Sequence, residues 1–434
     1  MEKLFVKVSE YYIKLMEDGT LKEGDRMPSI RDCAKNLGVS RTTAENAYMM
    51  MAEDGYIYSK EKSGFFVTHL AMQQKAHEKK AKVKSAGQAI IKYDFATVGE
   101  DHSAASLSLW TRYIKSAMRQ EESLLTYPMF QGEDELRQEI ADFVRTRRNI
   151  ICAKEDIVIG AGFQSLLHIL LPMLREKYHT ASVPTQSFKE SAQVLRNQGF
   201  EVSYRNKAAD IIYVAPAYMT NYGTVMSLKR RYELVEHGKN GHFIIEDDYQ
   251  NEFIFSSMAT PSLYALSGGK GVAYLGSFSR VLLPSVRVSF MIMPAELRKV
   301  YSQVGADYNQ TASKVEQLAL ASFLRDGQLL RHMRKLHRVY ETKREYMEEL
   351  LQKYIPSYCE IKAGEGGMEY VIRLGDDTID EKALLKQLEK ALVKVKISHY
   401  KDARVELVLS CGAIERDLME EGIKAISVAI ASLH

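Results

Sequence analysis

Ser40-Arg41-Thr42-Thr43 places three hydroxyls and a guanidinium on four consecutive residues. Such groups hydrogen-bond the base edges and phosphate oxygens of a nucleic-acid major groove when they sit at the exposed start of a helix. Arg31 lies upstream, where it would reach a phosphate backbone, and Lys60 and Lys62 lie downstream in a short polar segment. The same residues would also suit a small helical domain with a solvated polar helix start, because fold alone does not fix function.

The surrounding pattern supplies the elements that would position these groups. Leu4, Val8, Tyr11, Tyr12 and Leu15 recur at helical spacing, predicting a first helix from about Leu4 to Glu17 that stops before Asp18-Gly19. In the second, Ser29 is an N-cap with Asp32 three residues on, a capping-box variant, and Gly38 permits the tight turn that follows. Ser40 caps the third helix, which Asp54-Gly55 closes. This is a helix-turn-helix pattern. Tyr56-Ile57-Tyr58 and Phe65-Phe66-Val67 flank Ser59 to Gly64 and predict a wing hairpin.

The 434 residues, 46% hydrophobic and 26% charged, are enough for two or three ordinary domains. A net charge of +3 is too mild to indicate nucleic-acid binding from the total, so charge has to be read locally. Cys33, Cys152, Cys359 and Cys411 show neither metal-ligand spacing nor a disulfide framework, and read as small buried hydrophobes in a reducing compartment; no metal is expected. The first residues lack the apolar run of a signal peptide and no stretch is long enough to span a bilayer, which places the chain in the cytoplasm with no membrane partner. Between 69 and 92 the composition shifts to Lys, Gln, Ala, Glu and Ser without apolar periodicity, predicting a solvated linker between a first domain, 1–68, and a second, 93–434.

Beyond Tyr93, short apolar runs alternate with helical stretches. Ile157-Val158-Ile159, Ile211 to Val214, Phe243-Ile244-Ile245 and Val272 to Leu275 read as buried strands, with helices from Ser165 to Arg175 and from Phe188 to Asn197 among them. The alternation predicts an α/β domain with a mostly parallel sheet whose ligands sit where strands end. A long helix from about Ser313 to Tyr354 would then lead into a smaller α+β region.

Pro28-Ser29-x-Arg31, Val39 to Thr43 and Ala47-Tyr48 resemble the winged helix-turn-helix of the GntR family of bacterial transcription regulators. Tyr127-Pro128-x-x-x-Gly132, Gly162-Phe163-Gln164, Gly223-Thr224, Glu246-Asp247-Asp248-Tyr249, Gly276-Ser277-Phe278-Ser279 and Glu316-Gln317-Leu318-Ala319-Leu320 resemble the fold-type-I aminotransferases. In this order the motifs are similar to those of the MocR subfamily. The resemblance implies a pyridoxal phosphate site at a homodimer interface. Gly162, Phe163 and Gln164 would hold the phosphate through backbone amides at a helix start, with Ser277, Ser279 and Arg287 completing the cup. Asp247 would pair with the pyridine nitrogen and Tyr249 with the phenolic oxygen.

The chain departs from that pattern where the chemistry would occur. Position 280 is an arginine where the resemblance calls for the lysine that bonds the cofactor, and a guanidinium supplies no neutral amine at any workable pH. Tyr218 to Gly223 replaces a His-Gln-Phe-Pro-x-Gly type of loop, a Pro-Gly-Tyr element is lost around Pro184 to Phe188, and the last strand offers no arginine for a substrate carboxylate unless Arg404 turns inward. The expectation is a DNA-binding dimer whose second domain senses a small molecule: pyridoxal phosphate held without a covalent bond, an amino-acid-like compound or another anion. Arg280 is counted among the ligand-facing groups and no residue is assigned a catalytic role. The alternatives are an aminotransferase with an appended regulatory head, and a regulator whose second domain is structural.

Overall fold

The computed structural model describes residues 4–53, 55–60, 63–68, 91–97, 107–220, 222–248, 251–255, 261–375, 379–400 and 404–433. The chain divides into two compact units, Met1–Ile90 and Ile91–His434. The proposed linker, 69–92, lies outside the described residues except for its end, where the Lys92 amide donates to the Leu392 carbonyl at 2.9 Å.

The small unit consists of helices α1 (Leu4–Glu17), α2 (Ile30–Leu37) and α3 (Arg41–Glu53) and strands β1 (Ile57–Lys60) and β2 (Gly64–Val67). Ser29 caps α2 as expected: its hydroxyl accepts from the Asp32 amide at 3.1 Å and donates to the Asp32 carboxylate at 2.6 Å. Gly38 takes the left-handed conformation, φ 64°, that turns the chain from α2 into α3. Val8, Tyr12, Met16, Cys33, Ala47, Tyr48 and Met51 fill the core, and the Tyr48 phenol donates to the Pro28 carbonyl at 2.8 Å, tying α3 to the start of α2. The antiparallel wing pairs Lys60 with Gly64, so Ser59 and Lys60 belong to β1 rather than to the polar turn.

In the large unit β3 (Tyr93–Asp94) leads to a seven-stranded sheet of β4 (Ile157–Gly160), β5 (Thr180–Val183), β6 (Glu201–Tyr204), β7 (Ile211–Val214), β8 (Phe243–Asp247), β9 (Val272–Ser277) and β10 (Ser289–Ile292). Their order is β4-β10-β9-β8-β7-β5-β6, with β10 antiparallel to both neighbours and β5 to β9 mutually parallel. Both faces are covered, which is why these strands read as unbroken apolar runs. Val158, Tyr213, Ile245, Ala273 and Met291 face the helices Phe163–Leu174 and Lys189–Asn197. Ile157, Ile212, Ile244, Val272 and Phe290 face the opposite core, which holds Leu136, Ile140, Leu234 and Val235.

The expected long helix is two, Lys314–Arg325 and Gln328–Tyr354, because Gly327 adopts φ 67° and caps the second. They lead to a four-stranded antiparallel sheet of β11 (Glu360–Ala363), β12 (Glu369–Arg373), β14 (Lys396–Tyr400) and β15 (Arg404–Ser410), ordered β11-β12-β15-β14, with helices Glu381–Lys390 and Arg416–Ala431. β13 (Val393–Lys394) returns to pair in parallel with β3.

Candidate functional site

In the small unit the residues expected to meet nucleic acid fall into two groups. The Ser40 hydroxyl accepts from the Thr43 amide at 3.1 Å and lies 2.8 Å from the Thr43 hydroxyl, so these two side chains are occupied in capping α3. Arg41 and Thr42 are exposed on the first turn, Arg31 is exposed on α2 and Lys60 on the wing. Lys62 lies outside the described residues. Sequence reading missed Arg26: it is exposed, bridges to Phe66 of the wing, and its guanidinium flanks Gly64.

In the large unit Gly162, at φ 95°, starts the helix Phe163–Leu174 at the carboxyl end of β4. A Cβ there would stand 2.5 Å from Nη2 of Arg287, so the absence of a side chain lets the guanidinium settle against the turn. Phe163 and Gln164 occupy the first helical positions, where amides lack intrahelical partners. Ser277, exposed at the end of β9, accepts from the Ser289 hydroxyl at 3.0 Å and the Ser279 amide at 3.3 Å. Ser279 departs from its expected place in the cup. It is 7% exposed and its hydroxyl donates to the Val286 carbonyl at 2.7 Å, closing the loop between β9 and β10 from inside.

Asp247 and Asp248 turn to opposite faces of the sheet, as successive residues at a strand end must. The buried Tyr213 phenol donates to the Asp247 carboxylate. Burial and then the Asp247 charge hold that phenol well above its usual range, so it stays protonated and keeps the proton it donates to Asp247. Asp248 accepts from the Tyr274 phenol at 2.5 Å, from Asn251 Nδ2 at 2.8 Å and from Arg148 Nε at 2.7 Å. Arg148 also pairs with Glu252, and although burial pulls its pKa down, the Asp248 and Glu252 charges carry it well above the ordinary value. None of this network was read from the sequence. Tyr249 lies outside the described residues.

Arg280 lies with the second set. Its guanidinium stands over the Phe253 ring at 5.5 Å and lines a cavity of about 30 Å³ with Arg148, Asp248, Glu252 and Tyr274. Behind it, His332 is buried on the helix Gln328–Tyr354 and bonds the backbone at Val281; burial, then Lys335, pushes its imidazole down to about 4. Arg404 is exposed at the first position of β15. Two further motifs are held by scaffolding contacts: the buried Arg137 donates to the Gly132 and Lys154 carbonyls, both at 3.0 Å, and Gln317 accepts from the Glu133 amide at 2.8 Å. No group of three or more metal-ligating side chains, and no helix long and apolar enough to cross a membrane, occurs among the described residues.

Residues 98–426 match the family described as aminotransferase class I and II, and residues 7–67 match the bacterial regulatory proteins of the gntR family. An uncharacterized HTH-type transcriptional regulator of Bacillus subtilis, YdeL, is 29% identical over 98% of this chain and 96% of its own length. The probable rhizopine catabolism regulatory protein MocR of Rhizobium meliloti is 24% identical over 96% and 91%. Among solved structures, an archaeal alanine:glyoxylate aminotransferase superimposes with a TM-score of 0.72 at 19% identity, covering 83% of this chain and 95% of its own. LysN, an α-aminoadipate aminotransferase of Thermus thermophilus solved with N-(5'-phosphopyridoxyl)-L-leucine, gives 0.68 at 21% identity, covering 83% and 98%. At these identities the structures establish the fold of the large unit, whereas the regulators align along nearly the whole chain. The chain therefore belongs to the aminotransferase class I and II family and, with a gntR-family domain in front of that fold, is a DNA-binding transcriptional regulator of the MocR type.

Proposed function

We propose that this regulator binds its operator as a homodimer in the cytoplasm and that its aminotransferase-like unit senses a small molecule without catalysing transamination. The observation that carries this reading is the pairing of a retained anion cup, Gly162 against Arg287, with Arg280 where a nucleophilic amine would be needed. The cup suits a phosphate: helix-start amides at Phe163 and Gln164, the Ser277 hydroxyl and the Arg287 guanidinium supply donors of the right kind. Asp247, fixed by Tyr213, is a carboxylate suited to a protonated pyridine nitrogen. These residues fit pyridoxal phosphate, and Arg280 does not fit its covalent attachment. Arg31, Arg41, Thr42, Lys60 and Lys62 are assigned to DNA, with Ser40 and Thr43 shaping the start of α3, and Arg26 joins them at the wing.

The test measures operator affinity by fluorescence anisotropy with and without pyridoxal phosphate, alongside sedimentation of the protein. The expected results are a dimer at micromolar concentration, an affinity that the cofactor or an amino-acid-like ligand shifts, and no turnover of amino acids. A monomer, or transamination by the unmodified protein, overturns the reading.

A further inference from the structure

Strands β5 and β7 are neighbours in the sheet, yet the helices that follow them, Lys189–Asn197 and Leu228–Lys239, pack on opposite faces. Where connections diverge in this way the carboxyl ends of the strands open into a crevice, the usual position for a ligand in such a sheet. Here that crevice is a cavity of about 410 Å³, within the size range that holds small-molecule ligands. Its floor is apolar, formed by Ile212, Val214, Met219, Met226 and Leu234. Its rim carries three cations, Arg205, Lys207 and Arg230, against one carboxylate, Glu233, which Arg230 holds at 2.7 Å. Gly162, Asp247, Ser277 and Arg287 do not line it.

Arg205 is held in place by its backbone. It adopts φ 53°, a left-handed conformation that favours glycine, asparagine or aspartate, although it is an arginine. The strain is supported on both sides: its amide donates to the Val183 carbonyl at 3.1 Å, its Nε to the Pro184 carbonyl at 3.1 Å, and the next amide, of Asn206, to the Ser182 hydroxyl at 2.9 Å. Arg205 is exposed and lines the cavity.

We propose that this crevice binds an organic anion with an apolar body of roughly ten to twenty heavy atoms and a carboxylate or phosphate head. The inference rests on the reading of the large unit as a ligand sensor and names a site and ligand class for it.

The test is calorimetric titration of the full-length protein with 4-phenylbutyrate, phenyl phosphate and 4-phenylbutylamine, which separate a carboxylate head, a phosphate head and a cationic head. Expected is binding of one or both anions at one per chain, at least tenfold weaker binding of the amine, and a loss of about tenfold for each of Arg205→Gln and Arg230→Gln, as charge-assisted bonds imply. Lys386→Gln, an exposed lysine on another helix, controls for net charge and should change affinity less than twofold. Should Arg205→Gln fail to fold, Lys207→Gln replaces it. The proposal is overturned if neither anion binds up to about 10 mM, if the amine binds as well, or if the rim variants leave affinity unchanged. Operator affinity measured without these probes is a separate readout: intact DNA binding with no anion binding sinks this inference alone.

Discussion

Arg287 lies against Gly162 so closely that a single added carbon at position 162 would meet its guanidinium at 2.5 Å. The two residues are 125 positions apart in sequence and come together because β4, which ends before Gly162, pairs with β10, which begins just after Arg287. Gly162→Ala should therefore displace Arg287 and strain a backbone held at φ 95°, at a cost of about 1–2 kcal/mol in stability. Pyridoxal phosphate and inorganic phosphate should bind at least tenfold more weakly. Titration together with thermal unfolding checks this, and a variant that binds both as tightly as the parent removes the cup from the site.

At the DNA-binding end, Arg41 is exposed beside a cap built from Ser40 and Thr43, so its loss should leave the helix intact. Arg41→Ala should weaken operator binding by about 1–3 kcal/mol if the side chain reads a base. Lys60→Ala should instead lower affinity evenly across sequences and reduce the salt slope by about one. Anisotropy titrations at several salt concentrations separate the two roles, and an unchanged affinity for Arg41→Ala discards its placement.

Local grammar made much of this legible in the sequence. Ser29 and Ser40 mark helix starts through their own hydroxyls and Gly38 marks a turn through its own backbone, and the apolar runs at Ile157, Ile211, Phe243 and Val272 are continuous because both sheet faces are covered. The Gly327 break was also written locally, as Asp326-Gly327, but the apolar periodicity on either side masks it. β5 and β6 are as long as β4 and β7 but too polar, in Thr180, Ser182 and Ser203, to stand out. Long-range partners were not legible. Tyr213 meets Asp247 only through the parallel register of β7 and β8, and the Arg148-Asp248-Glu252 network joins a helix to a strand end a hundred residues away. Ser279 was misplaced for the same reason, since its burial depends on how the loop folds back on Val286.

His332 makes stability depend on pH. Its imidazole is neutral and buried, with a pKa pushed down to about 4 from an ordinary 6.5, so the unfolded chain takes up the proton first. The stabilisation is complete above pH 6.5 and is lost as pH falls towards 4, by about 3 kcal/mol in all. Glu246 acts in the opposite sense. Burial and then the Asp248 charge push its carboxyl up to about 7, so its contribution is complete below pH 4.5 and is lost as pH rises through 7. The informative quantity is therefore the difference between the parent and His332→Gln in denaturant unfolding: it should shrink steadily between pH 6.5 and 4, and a constant difference removes His332 as the cause.

Arg280 decides whether the cup can serve as a catalytic site. Its guanidinium is drawn over Phe253 and into the small cavity of Arg148, Asp248 and Glu252, while the cup residues Gly162 and Arg287 gather at the end of β4. A side chain of that length, permanently charged, has neither the nucleophile nor the freedom to attack an aldehyde. Borohydride treatment of the protein loaded with pyridoxal phosphate should therefore leave its mass unchanged, and dialysis should remove the cofactor completely. Arg280→Lys supplies an amine at the same backbone position beside an otherwise retained cup, and it should acquire the mass of one reduced cofactor per chain. Fixed cofactor in the parent protein would show that another amine reaches the site and would sink the non-covalent reading. If Arg280→Lys folds, binds pyridoxal phosphate and still fixes none, the loop after β9 does not aim position 280 at the cup, and the loss of the lysine is then not what separates this chain from its aminotransferase relatives.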